Sequence, residues 1–385
     1  MKDIRHIAVL PILALLTACD SSDMPIQQPD SYGYMTFSAS TEKLTTRTNP
    51  YEAYDANRHP HTMGVFGFYD NDAANSIYDN GIFTYDTATK EWNETSRKRW
   101  NDYAAASSFD FFAYMPQSTE ASLTKNANGS YTLSFPFAMT TVEPSSDGAS
   151  TTTSPAPVIT DQQAAPIICS TPERKEGKNS SGEFTFDPVV NMKFDQTLTG
   201  YRLLFKLDPT MGAIRQFRIK SVKFSGTLAT SCTISRSYTW STANNEWTAG
   251  SIQWTDVKRT TFTPESPYPI PYQSHDTEGY DDATLTATVN ATAYTQWGAD
   301  LYTIPDNKFR PVISVTYDVE VKAEDGSMVV TRKDVTSDIT LNTDNFSNLT
   351  TGGTAMMNPV RVLIQPRYLY VLADDDAYAG HLLIE

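Results

Sequence analysis

The sequence predicts an all-β protein. Apolar and polar residues alternate over many stretches, a pattern that places apolar side chains on one face of a strand. The chain is rich in threonine and contains 21 tyrosines and 18 phenylalanines, residue types that favour strands over helices. Gly, Pro, Asn and Asp separate these stretches, with little helical periodicity between them. This arrangement is typical of antiparallel β-sandwiches rather than of parallel α/β folds.

The alternating stretches follow one another along most of the chain. They predict strands at residues 131–137, 190–195, 201–208, 284–293 and 313–322. Within residues 217–224 the apolar phase shifts by one position near Lys220, which predicts a β-bulge or a tight bend. Residues 100–106 predict one short helix.

The length of 385 residues predicts two domains. A charged segment rich in small residues, at 172–182, precedes a new series of strands, and we place the domain boundary near residue 184. The predicted N-terminal sandwich therefore covers residues 32–184, and the predicted C-terminal sandwich covers residues 185–385.

The N-terminus predicts export and a lipid anchor. Residues 1–18 have a basic start and an apolar run too short to span a bilayer, as in a signal peptide. The sequence Leu-Thr-Ala-Cys at residues 16–19 resembles the bacterial lipobox, which implies cleavage between Ala18 and Cys19 and acyl chains such as palmitate on Cys19. Residues 19–31 form a polar tether. Its acidic Ser/Asp cluster resembles the surface-export signal of Bacteroidetes lipoproteins, so we expect an outer-membrane lipoprotein at the cell surface.

The remaining cysteines, Cys169 and Cys232, do not make a disulfide framework. An exported protein could pair them, but the sequence does not show that they meet, and it slightly favours two buried, unpaired thiols.

Composition and motifs argue against nucleic-acid binding and catalysis. The formal net charge is −15, whereas a phosphate backbone demands a basic protein face. The sequence contains no nucleophile elbow and no glycine-rich phosphate-binding motif. We therefore expect neither enzymatic activity nor a cofactor.

Three stretches have some features of metal sites, but the sequence predicts none of them to bind a metal. His59 and His61 lack a third ligand at a recognisable spacing. Residues 70–81 begin like a calcium loop but lack its sixth-position glycine and its closing glutamate. Asp374, Asp375 and Asp376 are expected to form an exposed acidic turn, so no metal site is predicted.

A set of segments that occur in one order gives a family resemblance. The segments are the lipobox at Cys19 and residues 35–50, 63–70, 109–116, 191–207, 214–226 and 300–306. Together they resemble the fimbrillin family of Bacteroidetes, the major and minor (Mfa-like) lipoprotein subunits of surface fimbriae. The resemblance implies two transthyretin-like β-sandwich domains, with other fimbrial subunits of the same or another kind as partners. Shaft, tip and anchor subunits all remain open, as does any adhesive ligand.

The resemblance also implies assembly by strand exchange. Relatives are cut by an arginine-specific protease, and the matching bond here joins Arg47 to Thr48. Residues 34–40 predict a first strand with Met35, Phe37 and Ala39 on one face. Its removal would open a groove for a donor strand and free the subunit from the membrane for the fimbria. The donor candidates are Val360, Val362, Ile364, Leu369, Val371 and Leu383.

A surface glycan-binding lipoprotein is the alternative. In such proteins exposed aromatic rings stack on sugars, and the candidate rings are Trp92, Trp240, Trp247, Trp254 and Trp297. Packing in the core or at strand ends is the competing explanation for each of them.

Overall fold

The fold is all-β, as the sequence predicts. The structure is a computed structural model, and it describes residues 33–42, 51–144, 151–211, 214–272, 280–281, 286–341, 357–365 and 381–384. Short 3-10 helices span Trp100–Tyr103, Gln162–Ala164 and Pro209–Met211. No helix among the described residues has the length and apolar character that crossing a bilayer requires.

The strands are numbered in chain order. Strands β1 to β9 are Thr36–Glu42, Tyr51–Ala53, Thr62–Tyr69, Asp72–Asp86, Glu91–Glu94, Ser108–Met115, Ser122–Lys125, Tyr131–Ala138 and Thr140–Pro144. Strands β10 to β18 are Thr151–Pro155, Ile167–Cys169, Glu173–Glu176, Val189–Gln196, Thr199–Leu207, Arg215–Ser241, Glu246–Ala249, Gln253–Phe262 and Tyr268–Ile270. Strands β19 to β26 are Tyr280–Asp281, Thr286–Val289, Thr295–Gln296, Leu301–Thr303, Val312–Lys322, Met328–Thr340, Met357–Gln365 and His381–Ile384.

The N-terminal core is built around β6. Its sheet has the order β2-β1-β13-β11-β6-β3-β4-β5, and β12 also pairs with β6. Every residue of β6 is buried, because both faces of the strand are covered. On one face Phe111 packs against Phe37 and Trp100. On the other face Phe112 packs against Tyr131 and Tyr238, which belong to a second sheet that contains β7, β8 and β15.

The longest strand, β15, contributes to two cores. Its first part pairs with β18, β20 and β23, and its second part pairs with β8, β16 and β17. Gly226 lies between the two parts with φ +118, a backbone conformation that favours glycine. Phe224 belongs to the C-terminal core and Ile234 belongs to the N-terminal core. The bend near Gly226 therefore lets one strand join both halves of the protein.

The C-terminal core lies between two sheets. One sheet has the order β21-β14-β25-β26, with β22 also on β14, and the other has the order β19-β20-β15-β23-β24. Phe205, Phe217, Tyr317 and Val362 are buried between them. Strand β25 runs parallel to β14, although the sequence predicts antiparallel sandwiches.

The local pattern predictions are confirmed in most places. Predicted strands match β8, β13 and β14, and the predicted bulge matches the register shift between Ile219 and Ser221. The short helix is the 3-10 turn at Trp100–Tyr103. Of residues 284–293, the described strand is only Thr286–Val289.

In β23 the predicted inward face continues to Val319, which lies opposite the buried Phe217 and packs against the C-terminal core. The sequence does not predict that the polar residues of the opposite face, Asp318 and Glu320, are buried as well. Arg218 compensates the second carboxylate with a bond of 2.9 Å from its Nε to Glu320. The buried charge is tolerated because it is paired.

Residue 184 lies between β12 and β13, and strands from both sides of it belong to one sheet. The boundary near residue 184 and the transthyretin-like assignment stay predictions.

The two cysteines of the body are buried and do not form a disulfide with each other. The Cys169 Sγ–H donates to the Tyr238 hydroxyl oxygen at 3.1 Å. Burial raises the pKa of Cys169 to about 11 and the pKa of Cys232 to about 12. Both groups are therefore thiols rather than reactive thiolates near neutral pH.

Candidate assembly site: the first strand and its groove

The first strand is held mainly by a strand that is distant in the sequence. Strand β1 pairs in parallel with β13 along six residues, from Thr36 opposite Val189 to Thr41 opposite Phe194. Its other edge pairs with the short β2 only from Ser40 to Glu42. One long ladder and one short ladder therefore hold β1 in the sheet.

Apolar side chains of this strand fill a groove lined by aromatic rings. Met35 and Phe37 are buried, and Ala39 is partly buried against the same core, which confirms the predicted face. The Phe37 ring centroid lies 4.5 Å from that of Phe83, 5.6 Å from that of Phe111 and 5.9 Å from that of Tyr78. We call the β13 edge together with these three rings the β1 groove.

A basic segment lies where β1 begins. The Met35 N–H donates to the Lys98 carbonyl oxygen at 2.8 Å. The Arg99 guanidinium lies 4.8 Å from the centre of the Tyr34 ring and donates to its hydroxyl oxygen, and the Arg97 guanidinium lies 5.7 Å from the same ring. The hydrogen bond and the charge of Arg99 lower the pKa of Tyr34. Two arginine side chains therefore lie against Tyr34 at this end of the groove.

The opposite end carries charges of both signs. The Tyr51 hydroxyl donates to Asp195 at 2.8 Å, and Asp195 forms an ion pair of 2.5 Å with Arg236. Burial raises the pKa of Glu42, and the charge of Asp195 adds to this effect. Burial also raises the pKa of Tyr51 to about 12. The two ends of the groove thus differ in charge.

The geometry permits one specific operation, the replacement of β1 by another strand. If β1 left, backbone N–H and C=O groups of β13 would lose their partners. The rings of Tyr78, Phe83 and Phe111 would be exposed to water at the same time. An extended peptide with apolar residues at every second position could satisfy both needs.

The chain is similar to solved structures of bacterial fimbrial proteins. A fimbrial protein from Bacteroides vulgatus has 14% sequence identity and a TM-score of 0.44, over 91% of this chain and 98% of that one. The fimbrial anchor protein Mfa2 from Porphyromonas gingivalis has 9% identity and a TM-score of 0.31, over 91% and 97% of the two chains.

These solved structures belong to the class of protein that the sequence segments resemble. At such identities the likeness concerns the fold alone. No protein-family model matches the chain, and no curated protein matches it in sequence.

Only some of the predicted site residues lie in the part of the chain that the structure describes. Ala18, Cys19, Arg47, Thr48, Leu369 and Val371 lie outside the described residues. The donor candidates Val360, Val362 and Ile364 are fully buried in the C-terminal core, on β25. Leu383 lies in β26, which pairs with β25. The structure therefore brings four of the six donor candidates together in one sheet of their own chain.

The tryptophans proposed to bind glycans pack against other residues of the protein. Trp92, Trp247 and Trp297 are buried. The Arg174 guanidinium covers Trp240 at 3.9 Å from the ring centre. The Trp254 indole N–H donates to the Thr197 carbonyl oxygen at 3.0 Å. Trp240 and Trp254 are partly buried against the N-terminal core, so packing accounts for all five rings better than display at the surface does.

The histidine pair has no features of a metal site. His59 is buried, and desolvation, aided by the charge of Arg58, lowers its pKa to about 4. His61 Nε2 lies 2.7 Å from the Ala56 carbonyl oxygen. Within the described residues no group of three or more His, Cys, Asp or Glu side chains is placed to hold a metal ion.

Sequence reasoning missed a buried charged cluster beside the groove. Asp110 is fully buried on β6, one residue before the groove residue Phe111. Its carboxylate accepts two bonds from Arg174, at 2.9 and 3.0 Å, and one from the Trp247 indole N–H at 2.7 Å. This cluster ties β6, β12 and β16 together. No local signal marks it, because its members are more than 60 residues apart.

Proposed function

We propose that the chain is a subunit of a surface fimbria, made as a lipid-anchored precursor and assembled by exchange of its first strand. The observation that carries this proposal is the attachment of β1. It fills an aromatic groove, pairs mainly with the distant β13, and is followed by Arg47 only five residues after Glu42. The ordered segments that resemble fimbrillins give independent support. The proposed role is structural and adhesive, without catalysis or a cofactor.

Cleavage after Arg47 would separate β1 from the body while leaving the groove intact. The ladder on β13 and the contacts of Phe37 would then be available to a strand from another subunit. Because donor and groove lie on different parts of the subunit, the contact is head-to-tail. Such contacts build an open filament when the rotation between neighbouring subunits does not close into a ring.

The donor must come from a segment that the C-terminal core can release. Val360, Val362 and Ile364 complete that core, so their removal would expose apolar surface at a cost of several kcal/mol. A donor that starts after Gln365 avoids this cost and still contains Leu369, Val371 and Leu383. Strand β25 pairs in parallel with β14 in the C-terminal sheet, just as β1 pairs in parallel with β13 in the N-terminal sheet.

Arg47→Ala tests the processing step. Treatment of the full chain with an arginine-specific protease, followed by unboiled gels, should give a ladder of polymers for the wild-type chain and none for the variant. Arg58→Ala is the matched control, because Arg58 is an arginine in the same region that forms a half-exposed ion pair with Glu52. A clean cut at Arg47 without any ladder or added-strand complex would reject strand exchange.

Cys19→Ala tests the anchor. Because a residue with two or three acyl chains binds membranes stably, the uncut wild-type chain should fractionate with outer membranes. The variant should instead appear in the soluble fraction, with no incorporation of labelled palmitate. Cys232→Ala keeps the number of cysteines equal and should leave both fractionation and labelling unchanged. Equal membrane association of the Cys19 variant would contradict the anchor.

A further inference from the structure

We propose that the basic segment Arg97–Lys98–Arg99, at the end of the groove where β1 begins, is a docking site for the acidic triad Asp374–Asp375–Asp376 of a second copy of this chain. The inference rests on the proposed function and goes beyond it. It names the surface that recognises the incoming subunit and the end of the groove at which recognition occurs.

The basic segment is exposed and concentrated. Arg97 and Arg99 are exposed and Lys98 is partly exposed, in a chain whose formal net charge is −15. Neither Arg97 nor Lys98 forms an ion pair with any residue that the structure describes. Among the residues that the structure describes, the Arg97 guanidinium donates to the Asn93 side-chain oxygen alone, at 2.9 Å. Three adjacent cations thus form a local basic site on a protein that otherwise repels its own copies.

Nearby carboxylates reduce this positive charge without cancelling it. Asp102 lies close, since its side chain accepts a bond of 3.3 Å from the Arg99 backbone N–H. Glu94 lies in the preceding strand and is partly buried. The hydrogen bond and the charge of Arg99 lower the pKa of Tyr34, and the opposing charge of Asp102 does not cancel this effect.

Loss of β1 would change the basic segment itself. Tyr34 belongs to the part of the chain that a cut after Arg47 removes. Loss of Tyr34 removes the ring that Arg97 and Arg99 cover and the hydroxyl oxygen that accepts a hydrogen bond from Arg99. The Met35 N–H also leaves the Lys98 carbonyl. Cleavage would therefore uncover the cations at the same moment as it opens the groove.

The proposed donor segment carries the matching charge. Residues 366–385 contain four acidic residues, of which Asp374, Asp375 and Asp376 are adjacent, and the triad lies between Val371 and Leu383. At the other end of the groove Asp195 forms an ion pair with Arg236, and Lys193 near the Tyr51 ring is a single further cation. Charge complementarity therefore places the triad at the end of the groove where β1 begins. It also determines which end of the groove the donor strand contacts first. Opposite charges at this point would mainly accelerate the encounter.

Charge reversal on each side, followed by a combined swap, tests the proposal. One variant carries Arg97→Glu, Lys98→Glu and Arg99→Glu; another carries Asp374→Lys, Asp375→Lys and Asp376→Lys; a third carries all six changes. After cleavage at low salt, each three-residue reversal should slow ladder formation by about tenfold or more, and the swap should restore it to within about threefold. In about 0.5 M salt the differences should largely vanish, because the charges are screened.

A matched control separates the site from net charge. Lys125→Glu, Lys223→Glu and Lys258→Glu reverse three exposed lysines on other strands and should leave the ladder rate nearly unchanged. Thermal melting of each uncut chain checks that folding is intact. If the variant with reversed charges at 97–99 melts at a lower temperature than the wild type, a peptide experiment replaces it. Two synthetic peptides of residues 366–385, one with Asp and one with Lys at 374–376, are then bound to the cleaved wild-type chain, and their association rates are compared. The Lys peptide should then bind more slowly.

Cross-linking locates the contact. Lys98→Cys on one copy and Asp375→Cys on another should form an intermolecular disulfide in the polymer, whereas Glu52→Cys with Asp375→Cys should not. The outcomes are separable. Absence of a ladder from cleaved wild-type chain rejects strand exchange itself. Two other outcomes overturn only the docking site, provided that the wild-type chain forms a normal ladder. In one, neither three-residue reversal slows the ladder; in the other, the variant with all six changes is as slow as the two three-residue variants.

Discussion

Replacement of Asp110 by alanine is expected to lower the free energy of unfolding by about 3–5 kcal/mol, the loss typical of a broken buried ion pair. The change leaves the Arg174 guanidinium without its two bonds and the Trp247 indole N–H without an acceptor. Urea denaturation followed by circular dichroism measures the loss. Because Phe111 follows Asp110 on β6 and lines the β1 groove, the effect should reach the assembly site.

Two companion variants identify the cause of this loss. Asp110→Asn keeps an acceptor for Trp247 and should cost less than the alanine variant, since Arg174 also lies 3.7 Å from Glu176. The pair Asp110→Leu with Arg174→Met removes both charges and should recover much of the loss. The Trp247 N–H still lacks a partner there, so a residual cost of about 1–3 kcal/mol remains. An alanine variant as stable as the wild type would show that the cluster contributes nothing.

Replacement of Phe37 by alanine is expected to weaken the hold on β1 by about 3 kcal/mol, because it leaves a cavity among Tyr78, Phe83 and Phe111. Only one long ladder fixes the strand, so the loss should appear as local opening rather than as global unfolding. Protection of the β1 amides in hydrogen exchange should fall about 100-fold, and the cleaved chain should form its ladder sooner.

Thr36→Ala is the matched control for the Phe37 variant. Thr36 is exposed on the same strand, so its replacement should change neither exchange nor ladder formation. A uniform loss of protection across both cores, with β1 no more affected than β14, would contradict a separable first strand.

Local periodicity was sufficient for much of the fold. The alternation in residues 131–137 and 190–195 predicts β8 and β13 because one face of each strand is buried and the side-chain period of a strand is two. The bulge near Lys220 was predictable for the same reason, since an extra residue shifts the apolar phase. The burial of Glu320 on the other face of β23 was not, because it depends on Arg218, a residue about a hundred positions away.

The candidate assembly site also has some features that the sequence predicts and others that it does not. The apolar face of β1 with Met35 and Phe37 could be predicted, because it is a property of one short stretch. The sequence offers no sign that Arg97 and Arg99 hold Tyr34, or that β1 pairs with β13, about 150 residues away. The continuation of β15 from one core into the other depends on which strands lie beside it.

The sequence by itself determined the all-β class, the positions of most strands and the faces they bury, because these depend on neighbouring residues and the geometry of an extended backbone. Only the tertiary structure decided the partner of β1, the rings that form its groove and the basic segment at its start. Strand pairing and charge contacts join residues far apart in the chain. Their free energy depends on distances that exist only after folding.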